Sequence, residues 1–99
     1  MNKYVITDES KVVDGTSVYR IMRLENGEFG GWVENEGNLS HDGKCWISDN
    51  AKVSDNAVVS GDAQVYDNAV VSGDAKVYGD AKVYGGAKVY GGAKVCDDA

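Results

Sequence analysis

The sequence predicts an all-β protein, a coil of parallel strands wound from a six-residue repeat and preceded by a small antiparallel β unit. Three observations carry this. Ala recurs every six residues from Ala51 to Ala99, and Val recurs two positions after each Ala from Val53 to Val95 without a miss. The two positions before each Ala hold only Asp, Asn or Gly. No segment sustains the 3.6-residue period of an amphipathic helix. A fixed internal period dictates architecture, so it takes precedence over local propensities.

The N-terminal part reads as short strands. Lys3 to Thr7 brings together Tyr4, Val5, Ile6 and Thr7, residues that suit a pleated surface. Asp8 to Ser10 looks like a turn, Lys11 to Val13 a second short strand, and Asp14-Gly15 a tight turn. Thr16 to Leu24 alternates Val18, Arg20 and Met22 with Tyr19, Ile21 and Arg23, and Asn26-Gly27 then supplies a hairpin signal. Residues 1–38 are accordingly a β meander or cap. The periodic signal fades in from residue 39, with Leu39 and Cys45 at the Ala phase and Ile47 at the Val phase, so residues 39–99 form the repeat domain.

Within each hexad, Ala-x-Val-x is a half-buried strand with Ala and Val inward. The Asp, Asn and Gly positions are corners, because these residues best tolerate positive φ. Strands joined by bends of one sense make a parallel solenoid.

Composition narrows the function. The net charge of −6 disfavours direct nucleic-acid binding. Residues 1–42 hold eight acids against four bases, so the acidity concentrates outside the repeat. No basic-then-apolar leader and no long apolar span is visible, which gives the expectation of a soluble, cytoplasmic protein. Cys45 phases inward and Cys96 outward, nearly three coils apart, too far for a disulfide. Metal motifs, P-loops and nucleophile constellations do not occur, so no metal and no cofactor is expected.

The segment Gly30-Gly31-Trp32-Val33-Glu34, followed by Asn38-Leu39-Ser40, resembles the GGWVE…NLS junction of a phage, prophage and bacterial family of hexapeptide-repeat proteins commonly labelled transferases or acyltransferases. The Val-x-x-x-Ala spacing is also similar to that of the hexapeptide-repeat, left-handed β-helix proteins. General topology favours right-handed crossovers. The resemblance instead implies a left-handed, triangular coil of three hexads, 18 residues, and about three coils over residues 45–99. Trp32 and Leu39 would then cover the N-terminal end of the apolar bore.

An 18-residue coil sorts the outward residues into rows. Lys52, Val70 and Lys88 lie beside Ser54, Ser72 and Tyr90. Val58, Lys76 and Lys94 lie beside Ser60, Tyr78 and Cys96. Gln64 and Lys82 lie beside Tyr66 and Tyr84. The candidate binding residues are Tyr66, Tyr84, Lys82, Tyr78, Tyr90, Lys76 and Lys88. The repeat reaches Ala99 on its own phase, and an unpaired coil edge invites association. A homo-oligomer is therefore expected, with Val89, Lys94, Val95 and Cys96 at that edge.

The expected function is a non-enzymatic interaction module of phage or prophage type that binds a host or phage protein. A sharper version inhibits a host defence or nucleic-acid-handling protein, with the acidic surface as a nucleic-acid decoy. Two alternatives stand beside it: a trimeric acyltransferase using acetyl-CoA, and a structural phage assembly component. His41, the only histidine, is the weak catalytic candidate that the acyltransferase resemblance implies. The interior is the source of stability, each buried Val contributing about 1.5–3 kcal/mol. Val71→Asp places an unpaired charge there and is expected to unfold the middle coil, read as loss of the cooperative β-sheet transition in circular dichroism.

Overall fold

The computed structural model of this protein describes residues 3–13 and 15–96. Three N-terminal strands, β1 (Tyr4–Val13), β2 (Thr16–Arg23) and β3 (Phe29–Val33), are followed by a single 3₁₀ turn at Glu36–Asn38. Nine short strands then follow: β4 (Trp46–Ile47), β5 (Lys52–Val53), β6 (Val58–Val59), β7 (Gln64–Val65), β8 (Val70–Val71), β9 (Lys76–Tyr78), β10 (Lys82–Val83), β11 (Lys88–Val89) and β12 (Lys94–Cys96). Among the described residues there is no α-helix.

The repeat winds into a parallel β-solenoid. From β4 onward, successive strands belong to different sheets, and each strand pairs with the one three places on. The three sheets are β3-β5-β8-β11, β6-β9-β12 and β4-β7-β10. Pairings such as Lys52↔Val70, Val59↔Val77 and Gln64↔Lys82 fix 18 residues per coil. Hydrogen bonds cross from coil to coil along strands and corners alike. Lys52 N–H donates to Ala69 O at 3.0 Å, and Asn56 N–H, at a corner, donates to Gly73 O at 2.9 Å. Every Val from Val53 to Val77 and every Ala from Ala51 to Ala81 at the inward phase is fully buried.

The corners adopt the backbone that their residues permit. The first residue of each pair has positive φ, for example Asp49 (57°), Asp55 (58°) and Asp67 (60°). Ala57 N–H donates to Ser54 O at 3.2 Å and closes one such corner. At the other corners this first residue is Gly. A Cβ on Gly61 would meet Gly79 N at 3.0 Å.

The solenoid has about four coils, not three, because it begins before the hexad pattern does. Trp32 pairs with Lys52 and Val33 with Val53, and Leu39 bridges Val59 in parallel. These offsets are 20 residues, two more than the coil period. The extra pair is His41-Asp42. Lys44 N–H donates to Asp62 Oδ1 at 3.1 Å and Cys45 N–H to Gly61 O at 2.9 Å, so Gly43 and Lys44 align with Gly61 and Asp62. Leu39 therefore occupies the Val phase. Its apparent Ala phase is an artefact of counting sixes across the two-residue insertion.

The Gly30-Gly31 pair has a steric cause. Here β3 passes against the backbone of the first coil. A Cβ on Gly30 would lie 2.6 Å from Ile47 O, and one on Gly31 would lie 2.7 Å from Ala51 O. The next corner is held by Asn38, the one buried polar residue found among the described residues. Its Oδ1 accepts from Glu34 N–H (2.9 Å) and Asn35 N–H (2.8 Å), and its Nδ2 donates to Ala57 O (2.8 Å) and Asp55 O (3.3 Å).

β1, β2 and β3 pair antiparallel and extend the first sheet past the coils. β1 is one ten-residue strand rather than two short ones. The turn-like Asp8 to Ser10 is absorbed as an irregularity between the Ile6↔Ile21 and Ser10↔Tyr19 pairs. Tyr4, Ile21 and Val33, all fully buried, are the residues of this unit that join the interior, with Ile6 packed against them. Trp32 does not. It takes the outward Lys52 row, where Lys11 Nζ sits 4.2 Å from its ring centroid and Arg20 Cζ 5.1 Å. Desolvation lowers the Lys11 pKa, with Lys52 and Arg20 adding to the effect.

Two predictions follow from these buried polar anchors. Asn38→Ala leaves Asn35 N–H and Ala57 O without their partner and is expected to lower stability by about 3 kcal/mol in urea titrations. For Tyr4, the hydroxyl is shared between Leu39 O (2.6 Å) and Glu36 O (2.9 Å). Burial, then the charges of Glu36 and Cys45, raises its pKa above the ordinary 10.0. The folded state thus binds the Tyr4 proton more tightly than the unfolded chain does. That stability is complete below the unfolded pKa and is lost as pH climbs toward the folded one. Above about pH 10 the melting temperature should fall as the pH rises, and Tyr4→Phe should lack this component while being about 1 kcal/mol weaker at neutral pH.

Candidate functional site

The outward rows fall in the predicted order, which decides which candidates share a surface. Tyr66 and Tyr84 stand one coil apart on the third sheet. Their ring centroids are 5.3 Å apart and their planes 10° from parallel. Lys82, exposed, is paired with Gln64 in the neighbouring row. These three form one surface. Tyr78 and Lys76 lie on the second sheet, and Lys88, with Tyr90 just beyond its strand, on the first. The seven candidates therefore distribute over three faces rather than making one.

The proposed edge residues sit in the last described coil. Val89 and Val95 are half-buried against the core, Lys94 is exposed, and Cys96, paired with Tyr78, is half-buried rather than exposed. Cys45 is fully buried, and both thiols are free.

His41 lies in the insertion of the first coil and is packed as a post beneath Tyr4. The two rings stack at 4.2 Å with planes 13° apart. Lys3 N–H donates to His41 Nδ1 at 3.0 Å. Nε2 is buried without a hydrogen-bond partner, and the Glu36 carboxylate, 3.8 Å away, is an ionic neighbour too distant for a hydrogen bond. With one nitrogen used by backbone and a ring face against Tyr4, His41 joins the N-terminal unit to the solenoid. No group of three or more His, Cys, Asp or Glu side chains comes together among the described residues.

Sequence reasoning missed the region where the N-terminal unit meets the third sheet. A cavity of about 470 Å³ opens there, with Lys3, Arg23, Lys44, Trp46 and Gln64 in its walls. Arg23 Cζ lies 4.3 Å from the Trp46 ring centroid. Lys3 Nζ donates to Cys45 O at 2.6 Å and to Gly43 O at 3.3 Å. The signal available in the sequence was Trp46 itself, a large aromatic at an outward phase that Gln64 and Lys82 fill in later coils. Its exposure is only 7 %, so something has to cover it.

No described helix is long and apolar enough to cross a membrane. Among known families, the one described as YdcK beta solenoid repeat matches residues 63–79, which lie in β7, β8, β9 and the corners between them. No curated protein matches the sequence. The match and the coil geometry agree on one conclusion, that this chain is a β-solenoid repeat protein.

Proposed function

We propose that this protein is a non-enzymatic interaction module whose third sheet docks a protein partner. The observation that carries the reading is the Tyr66–Tyr84 stack beside Lys82. Tyrosines on strands of a hydrogen-bonded solenoid are already ordered, so a partner covering them forfeits little side-chain entropy. Tyr is also among the residues enriched at binding hot spots. His41 supports the acyltransferase alternative poorly, because Tyr4 and the Lys3 backbone already engage its ring.

The finer parts of the reading belong to the same proposal. The coil is left-handed and triangular in section, with the antiparallel strands capping its N-terminal end. The protein is of phage or prophage type, acts in the host cytoplasm, and self-associates through Val89, Lys94, Val95 and Cys96. The exposed carboxylates of Asp8, Glu9, Glu25, Glu28 and Asp42 supply the surface that a nucleic-acid-handling partner would meet in place of phosphates.

The test is a host-lysate capture compared across three baits: the natural protein, Tyr66→Ala/Tyr84→Ala, and Lys76→Ala on the second sheet. A band retained by the first and third baits and lost by the second is the expected result. The same bands from all three baits would sink the docking face. Light scattering of the natural protein should give a mass above that of the monomer, rising with concentration.

A further inference from the structure

We propose that the cavity between the N-terminal strands and the third sheet binds a phosphomonoester, a phosphate carried on a polar ring the size of a sugar or nucleoside. The inference goes beyond the protein-docking face, and the two are read by separate measurements.

Charge comes first. Three cations line this cavity (Lys3, Arg23 and Lys44) against one carboxylate, Glu25. The chain as a whole carries −6, so this is a local reversal of sign. A phosphomonoester bears about −1.5 to −2 at neutral pH, which matches the excess of two positive charges.

The cations are arranged for a ligand rather than for one another. Arg23 forms no ion pair among the described residues. Its guanidinium is held over the Trp46 ring, and its Nε is buried without an acceptor. Trp46 Nε1, on the same wall, also lacks an acceptor. Both atoms are closed off from solvent, so the donors open to a ligand are the outer guanidinium nitrogens of Arg23, which make no hydrogen bond or ion pair among the described residues. Lys44 is anchored through its backbone N–H to Asp62, and its exposed side chain makes no hydrogen bond or ion pair among the described residues. Lys3 differs. Its ammonium already donates to two carbonyls and to Cys45 Sγ, so it contributes field rather than free donors. A planar guanidinium, a mobile ammonium and a fixed background charge suit a tetrahedral anion.

Size and surroundings set the rest of the ligand. About 470 Å³ exceeds what a bare phosphate fills and falls within the range of small-molecule sites. Gln64 and Ser48 also line the cavity, offering an amide and a hydroxyl to ring hydroxyls. Ser48 also occupies the position one coil before Tyr66, since Ser48 N–H donates to Val65 O at 2.8 Å. Tyr84 covers one face of Tyr66. The opposite face looks toward Ser48, where a small side chain leaves room for a ring to stack.

The experiment is a nitrogen–proton NMR titration of the full chain with three probes: inorganic phosphate, glucose 6-phosphate and AMP. Saturable shifts at the Trp46 indole, Lys44 and Gln64 are expected with at least one of the two esters, more tightly than with phosphate. The tighter ester identifies the ring. Lys44→Gln, at an exposed site, should keep the melting temperature and weaken binding roughly tenfold. Arg23→Gln should weaken it at least as much, and Lys88→Gln on the first sheet should leave it unchanged. Overturning results are no saturable shift with any probe, equal affinity for phosphate and both esters, or shifts that survive Lys44→Gln.

Discussion

Backbone hydrogen bonds from coil to coil bring residues 18 positions apart into register, and this single register governs everything the coil displays. The Val59↔Val77 and Val71↔Val89 pairs stack the interior. The same offset places Tyr66 on Tyr84. It also sets the corners about 4.8 Å apart, which leaves little room for a Cβ where Gly61 meets Gly79. Stacked corner carboxylates would repel, but the register turns several into acceptors. Asp49 accepts from Asp67 N–H, and Asp67 from Gly85 N–H at 3.1 Å, so each acidic side chain ties its corner to the next.

Strict repetition is good at building a rod and poor at building a pocket, because every row presents neighbours of one kind. Variety enters where the period breaks. His41-Asp42 lengthens one corner, which makes room for the ring that Tyr4 stacks on. Gly30 and Gly31 let β3 run against Ile47 and Ala51. Asn38 uses one amide to hold the corner of its own coil and the carbonyls of the next. Each departure closes the first coil, which has a neighbouring coil on one side alone and needs side chains to do what backbone does elsewhere.

The same division explains what was legible in the sequence. The inward phase, the positive-φ corners and the order of the outward rows follow from residue type and spacing, and they could be read in advance. The coil number could not, because the insertion moved Leu39 out of step with the Val phase it occupies. Trp32 looked like a plug for the bore. The register of β3 with β5 puts Val33 inside and Trp32 outside, under Lys11 and Arg20. The cavity was invisible for a further reason. Lys3, Arg23 and Lys44 lie about twenty residues apart along the chain with no pattern linking them, and only the antiparallel pairing of β1 with β2 brings the first two to one place.

The Tyr row and the cavity, described separately, are one surface. Ser48 sits at the rim of the cavity and at the head of the row that continues as Tyr66 and Tyr84, while Trp46 heads the row of Gln64 and Lys82. The third sheet thus changes character along its axis, from a cationic hollow backed by indole to an exposed aromatic stack. The chemistry follows from how each end is made. At the irregular end, side chains from three separated segments converge and leave donors without acceptors. At the regular end, the backbone register fixes flat rings at strand spacing. A small anion suits the first and a broad protein surface suits the second, and a ligand seated in the cavity would lie beside any partner docked on the tyrosines. Occupancy of the hollow and capture of a partner would then be coupled through contact alone, without any change in a scaffold whose coils are cross-bonded at nearly every residue.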